Sequence, residues 1–189
     1  MSQIDLRDID SFILNERCTN IEEAGELLYI GRGVSSTLYI DLSGLKGITH
    51  IINAKLILFT VPLNNRYKLY DKMEYSIAPL LDFINVYDEC YTWPKIDDTN
   101  EIVFEIDKKQ SYIEVDVTTI VEKWMSNELE NKGVCIKGHS EYSCVGFAGN
   151  LFEVKHMHPF LRVQYESCEQ GLYPIHHNII ELPTQVSIL

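Results

Sequence analysis

Short runs of residues with high strand propensity, separated by turn signals about every 8–12 residues, are the feature that most limits how this chain can fold. The longest run, Ile51–Val61, is mostly apolar and stops at Pro62, which cannot donate a hydrogen bond within a sheet. Glu101–Ile106 alternates apolar and polar side chains, as a half-buried strand does. About ten such runs, without an internal repeat, predict an all-β sandwich.

One stretch departs from the β pattern and predicts a short helix at about 119-127. Thr119 and Glu122 have the spacing of a capping box, in which the threonine hydroxyl accepts from the first helical turn and the glutamate accepts from the cap N–H. The apolar residues that follow share one side of a helix: Ile120, Val121, Trp124 and Met125. Asn131 and Gly133 then signal a turn, because both residue types tolerate positive φ.

We interpret this stretch as a structural plug at one end of the sandwich rather than as a chemical site. Asp116, Thr118 and Thr119 are expected to hold the start of the helix. Trp124 is expected to fill the core, because a short amphipathic helix is stabilised mainly by burying its apolar side.

The chain is long enough to form one domain with a substantial core, and its charge is strongly negative. It has 189 residues, 46% of them hydrophobic, and its 28 acidic and 16 basic residues give a net charge of −12. That charge argues against nucleic acid or an anionic membrane surface as a partner. The first residues lack the pattern of a secretory signal, and no run of about 18 apolar residues occurs. We therefore expect a protein made in the cytosol, without membrane insertion.

The sequence resembles the DNRLRE-type domains. Their signature, DVT…V…W…N-x-G, is similar to Asp116–Thr118, Val121, Trp124, Asn131 and Gly133. Four more segments resemble strands and a loop of that family in the same order: Ser36–Ser43, Ala54–Leu58, Tyr91–Pro94 and His158–Tyr165. The resemblance implies a jelly-roll β-sandwich related in fold to carbohydrate-binding modules and to the TGF-β propeptide. Because this fold hosts adhesion, sugar binding and structural roles, it implies no single function.

The strand pattern and the resemblance together divide the chain into three parts. These are an N-terminal lead-in at 1-10, a DNRLRE-like β-sandwich at 11-166 and a strand-prone C-terminal tail at 167-189. Within the tail, Asn178–Leu182 and Gln185–Leu189 have β character. Such a tail either packs on its own domain or adds to the sheet edge of a neighbour, since unpaired edges recruit strands.

The five cysteines cannot all pair within one chain, and no two have the C-x-x-C spacing. They are Cys18, Cys90, Cys135, Cys144 and Cys168. In a cytosolic protein, reduced and partly buried thiols are the ordinary interpretation. The alternative is cross-linking between chains once the protein reaches an oxidising surface.

Two pairs of histidines are weak candidates for a metal site: His156 and His158, and His176 and His177. The first pair would lie on one face of a strand, a spacing that zinc accepts, with Cys168 between the two pairs. Because the spacing matches no standard zinc finger, strand-end and loop histidines are the main interpretation.

Acidic residues offer a second metal hypothesis, a structural calcium ion. The candidate oxygen ligands are Asp41, Asp88, Glu89, Asp97 and Asp98. The sequence has no EF-hand loop, so solvated loop carboxylates are the main interpretation and we expect no cofactor.

Aromatic residues in the middle of the chain could form a platform for sugar rings. Tyr91 and Trp93 are the principal candidates, with Tyr67, Tyr70 and Tyr87 near them in sequence. Packing in the core and loops is the other interpretation, and the resemblance implies a structural role for Trp93.

We predict a non-enzymatic structural module that self-associates, as a homo-oligomer or fibre, through sheet edges and termini. No nucleophile elbow, P-loop, dinucleotide fingerprint or H-E-x-x-H motif occurs in the sequence. The resemblance and the lack of a secretory signal imply a subunit of a clostridial spore coat, exosporium or appendage, with other surface proteins as further partners. The alternative is a carbohydrate-binding or adhesive module with a glycan as its partner.

Overall fold

The described part of the chain forms two antiparallel six-stranded sheets and one short α-helix, so the predicted all-β sandwich with one short helix is confirmed. The computed structural model describes residues 1–15, 22–23, 25–31, 33–63, 72–84, 93–107, 109–139 and 144–166. The predicted tail, 167-189, lies outside the described residues.

Twelve strands lie in the described part of the chain. In order, they are β1 (Ser2–Leu6), β2 (Ile9–Asn15), β3 (Glu22–Glu23), β4 (Leu27–Ile30), β5 (Val34–Ile40), β6 (Ile51–Val61), β7 (Lys72–Pro79), β8 (Ile102–Asp107), β9 (Tyr112–Asp116), β10 (Val134–Gly138), β11 (Val145–Ala148) and β12 (Phe160–Tyr165). The helix α1 is Thr118–Met125, between β9 and β10.

The first sheet, sheet A, is organised around β6. This strand pairs with β12, with β9 and, near its end, with β11. β1 extends the sheet from β12, and β4 extends it from β11. The second sheet, sheet B, has the strand order β3-β2-β5-β10-β7-β8.

The main core lies between the facing sides of the two sheets. Its members come from both sheets and from α1, and the fully buried ones include Leu28, Ile30, Leu38, Leu56, Leu58, Tyr75, Ile77, Ile120, Val121 and Phe147. Tyr75 and Phe147 are the largest fully buried side chains. Burial of such side chains is the dominant favourable term in folding.

Sheet B is also covered on its outer side, by the segment that follows β7. Leu14, Leu80 and Cys135 form a second buried cluster there, against which Trp93 and Ile96 pack. For this reason β7 is buried at nearly every position from Met73 onward and does not alternate between buried and exposed side chains.

The N-terminal residues belong to the sandwich, although 1-10 was expected to be a lead-in. Strand β1 pairs with β12 from Ser2, opposite Tyr165, to Leu6. The Arg162 guanidinium donates to the Asp5 carboxylate through Nε at 2.9 Å and Nη2 at 3.1 Å. This bidentate pair and the ladder hold a segment whose sequence alone is too polar to indicate a strand.

The helix begins one residue before the predicted cap, so the capping box is not formed. Val117 is the N-cap and contributes no side-chain hydrogen bond, which places Thr119 inside the first turn. The Asp116 carboxylate instead accepts from the Thr118 N–H at 3.0 Å and from the Thr118 hydroxyl at 2.6 Å. The Thr118 oxygen also accepts from the Ala54 N–H at 2.9 Å and so ties the helix start to β6.

Trp124 lies in the main core beside Ile120 and Val121, and its side chain is 6% exposed. Among the described residues, its indole N–H has no hydrogen-bond acceptor. Trp124 therefore stabilises the fold through apolar contacts and by filling space in the core, not through a hydrogen bond.

We expect Trp124→Ala to lower the free energy of unfolding by about 3–5 kcal/mol, because it leaves a large cavity in the core. Trp124→Phe is the matched control, since it keeps an aromatic ring and removes the unpartnered N–H, and it should cost clearly less. Urea denaturation of both variants measures the difference. A loss below about 1 kcal/mol for Trp124→Ala would contradict the plug interpretation.

Candidate functional site

Two strands next to each other in the chain each form an edge of the sandwich. β8 is the last strand of sheet B and pairs with β7, whereas β9 pairs with β6 in sheet A. Four residues, 108–111, separate the two strands in the sequence. One side of the sandwich therefore presents the edges of both sheets together.

The edge strand β8 directs half of its backbone groups away from the sandwich. On the opposite side of β7, the Glu74 carbonyl accepts from the His139 N–H at 3.3 Å. Because backbone groups alternate sides along an antiparallel strand, Phe104 bonds with Tyr75 and the N–H and C=O of Val103 point outward.

The same alternation holds on β9. The Thr60 N–H donates to the Ser111 carbonyl at 3.0 Å, which places the backbone groups of Ile113 toward β6 and those of Tyr112 and Glu114 outward. Two rows of outward N–H and C=O groups thus lie side by side, and such rows are templates for pairing with another strand.

A groove of about 550 Å³ runs between the two edges. Its lining includes Phe104 and Tyr112 together with polar residues such as Glu105, Gln110 and Glu114. Val103, on the outer face of β8, is 54% exposed, and Tyr112 is also exposed, with its ring centroid 5.8 Å from that of Phe59. Within the described residues, these edges therefore combine backbone groups that have no strand partner with the exposed side chains of Val103 and Tyr112.

One carboxylate at this edge is neutralised within the protein. The Lys55 ammonium donates to the Glu114 carboxylate at 2.8 Å, and this contact raises the pKa of Lys55 above its usual value. The charge of Glu114 is therefore a weaker barrier to an approaching strand than an isolated carboxylate would be.

Gly133, a signature residue, is required by the backbone rather than by chemistry. Its φ is +92°, and a Cβ at this position would lie 2.5 Å from the Leu38 carbonyl oxygen. Asn131 fixes the same turn, because its side chain donates to the Ile40 carbonyl at 2.9 Å and accepts from the Gly133 N–H at 3.1 Å.

Trp93, a predicted member of the sugar platform, is half-buried and packs against the cluster of Leu14, Leu80 and Cys135. Its proposed partner Tyr91 lies outside the described residues, as do Tyr67, Tyr70 and Tyr87. The structural interpretation of Trp93 is the one that agrees with this packing.

A different pair of aromatic residues is exposed on the outer side of sheet B. Tyr39 of β5 and Phe83, which is 60% exposed, line a crevice of about 120 Å³ with Asp10 and Lys132. The Lys132 ammonium lies 5.3 Å from the centre of the Phe83 ring. Sequence reasoning missed this pair, although successive side chains of a strand alternate faces, which sets exposed Tyr39 opposite its buried neighbours Leu38 and Ile40.

The two cysteines that the structure describes, Cys135 and Cys144, are both buried. Cys135 is fully buried in the second cluster, and burial raises the pKa of its thiol to about 12. Cys144 is buried beside β11. A cross-link between folded chains through either one would require local opening, and Cys18, Cys90 and Cys168 lie outside the described residues.

We expect the Cys135 thiol to resist iodoacetamide in the folded protein. With a pKa of about 12, only about one thiol in 10,000 is ionised at pH 8, and the thiolate is the reactive form. Peptide mapping by mass spectrometry should find Cys135 unmodified in buffer and modified in denaturant. Equal modification in both conditions would show that this part of sheet B is open to solvent.

The histidine pair that the structure describes is not on a strand. His156 lies in a 3-10 turn, Lys155–Met157, and is exposed. His158 follows the turn, and its Nε2 lies 2.7 Å from the Phe152 carbonyl oxygen. His176 and His177 lie outside the described residues. Within the described ranges, no group of three or more His, Cys, Asp or Glu side chains is placed to bind a metal ion.

The candidate calcium ligands Asp41, Asp97 and Asp98 serve separate local contacts. Asp41 accepts from the N–H and the hydroxyl of Ser43, which lowers the pKa of its carboxyl. Asp97 accepts from Thr99 and from Asn100, with the same effect on its pKa. Asp98 is exposed on the 3-10 turn that follows Asp97. The other two candidates, Asp88 and Glu89, are not among the described residues.

Comparison with known proteins assigns no family: no protein-family model matches the chain, and no curated protein matches it. The DNRLRE-type resemblance therefore stays a prediction. In the part of the chain that the structure describes, no helix has both the length and the apolar character needed to cross a membrane.

Proposed function

We propose that the protein is a non-enzymatic structural module that self-associates through the paired edges formed by β8 and β9. The observation that carries the proposal is the presence of both sheet edges on one side, with outward backbone groups and the exposed side chains of Val103 and Tyr112. A strand from a second copy would complete either ladder.

The charge of the chain sets the conditions for this association. Copies with a net charge of −12 repel one another at low ionic strength. Salt at about 0.15 M reduces the Debye length to about 8 Å, so the short-range contacts of the edge then prevail. Association of the protein should consequently increase with salt concentration.

The wider setting of the proposal comes from the sequence resemblance. We propose that the module is a subunit of a surface assembly such as a spore coat, exosporium or appendage. Because Cys135 and Cys144 are buried in the fold, covalent cross-linking in such an assembly would be expected at Cys18, Cys90 or Cys168.

We expect Val103→Lys to weaken self-association by at least about tenfold, because an exposed lysine on an edge strand hinders pairing. Leu151→Lys is the matched control: Leu151 is 60% exposed in a turn away from the β8–β9 edge and receives the same charge. Sedimentation velocity over a concentration series measures the effect.

Three results bear on the proposal. Wild type and Leu151→Lys should associate with rising concentration, whereas Val103→Lys should stay monomeric over the same range. A wild-type protein that remains monomeric throughout, in salt and without reductant, would reject self-association. Equal association of all three proteins would place the interface elsewhere.

A second candidate function is glycan binding, and the exposed pair Tyr39 and Phe83 is the observation that favours it. Aromatic faces pack on the apolar faces of sugar rings, while Asp10 and Lys132 beside them could hydrogen-bond to hydroxyl groups. For this second candidate we propose the surface around Tyr39 and Phe83 rather than Tyr91 and Trp93.

A glycan array tests the second candidate. If a glycan binds, Phe83→Ala should lower its affinity by about two- to twelvefold, since one aromatic contact contributes about 0.5–1.5 kcal/mol. Tyr112→Ala removes an exposed aromatic ring elsewhere and should leave the affinity unchanged. An array without binding, or equal effects of both substitutions, would exclude this surface.

A further inference from the structure

A second groove, of about 620 Å³, lies at the end of the sandwich that α1 occupies. It separates the solvent side of the helix from the segment that leads into β6. Its lining includes Ile48, His50, Ile51, Thr119, Glu122 and Met125. Ile48 and Met125 are half-buried, so the groove combines an apolar floor with a polar rim.

The described chain ends on the rim of this groove. Strand β12 runs to Tyr165, opposite Ile51 at the start of β6. The Glu166 N–H then donates to the carbonyl of His50 at 3.2 Å, and His50 is itself a lining residue. Whatever follows Glu166 therefore starts beside the groove.

We propose that the groove binds the C-terminal tail of the same chain, through Leu172–Ile175. This is the first run of large apolar side chains after Glu166, and five residues, 167–171, precede it. Those five residues can span at most about 16–18 Å. Helix α1 has eight residues and is about 12 Å long, which is shorter than this span.

The short connection favours the tail of the same chain over that of a second copy. A segment tethered by five residues is present at its site at an effective concentration in the millimolar range. A second copy at micromolar concentration would compete poorly for the same groove. The occupied groove would cover Met125 and Ile48, and the β-prone residues beyond Pro183 would remain outside it.

Photo-cross-linking in the full chain tests the proposal. Tyr173 is replaced by 4-benzoylphenylalanine, the protein is irradiated at low micromolar concentration, and the cross-linked peptides are mapped by mass spectrometry. The expected product is a cross-link within one chain, from residue 173 to peptides that contain residues 48–51 or 119–128. Met125→Glu should lower its yield by about tenfold or more, because it places an unpaired carboxylate in the apolar contact. Leu151→Glu is the matched control and should not change the yield.

Each other outcome overturns the proposal. A cross-link between two chains, resolved on a denaturing gel, would assign the groove to the tail of a second copy. A cross-link to another surface, or none, would show that the tail does not bind here. An unchanged yield in Met125→Glu would exclude the groove even if nearby peptides react. The mapping in the otherwise unchanged chain does not depend on how well that variant folds. The cross-link is detected within one chain, so this test is also independent of self-association through the β8–β9 edge.

Discussion

Sheet A depends on one strand, β6, which forms hydrogen-bonded ladders with three other strands. The eleven residues of β6 pair with β12, β9 and β11. The Ala54 N–H, at the point where the β9 ladder ends, bonds to Thr118 at the start of α1. A break in β6 would thus release three ladders and the helix together. This concentration of contacts explains why the most apolar run of the sequence occupies this position.

Sheet B has a different constraint, because it is covered on both faces. The main core covers its inner side, and the cluster of Leu14, Leu80 and Cys135 lies on the outer side. Strand β7 is paired on both sides, with β10 and β8. Strand β8 is paired only with β7 among the described residues, so its outward backbone groups face solvent. A protein built this way has more scope for sideways pairing of strands than for stacking of sheets. The edge, the aromatic crevice and the groove beside α1 lie on separate surfaces, so their occupants need not compete.

The sequence predicts an element well when neighbouring residues stabilise it, and poorly when residues far away in the chain do. The bounds of Ile51–Val61 follow from its apolar run and from Pro62, which ends it, and β6 has the same bounds. Strand β1 could not be predicted, because its stability comes from pairing with β12 and from the contact between Asp5 and Arg162, far apart in sequence. The capping box failed for a related reason: Thr118 is held by a strand 64 residues away, which shifts the helix start. The β8–β9 edge could not be read from sequence either, since a strand's neighbours decide whether it is an edge.

The pairing of Ser2 with Tyr165 has a mechanical consequence. The start of β1 and the end of β12 lie side by side, so tension applied between these two points pulls the strands apart at one end. Hydrogen bonds perpendicular to the strands then break one after another rather than all at once. Tension transmitted along β6 instead would load its ladders lengthwise, and many bonds would have to yield together. The module would thus resist force unequally, extending easily by the release of β1 while the remainder of the sandwich stays intact.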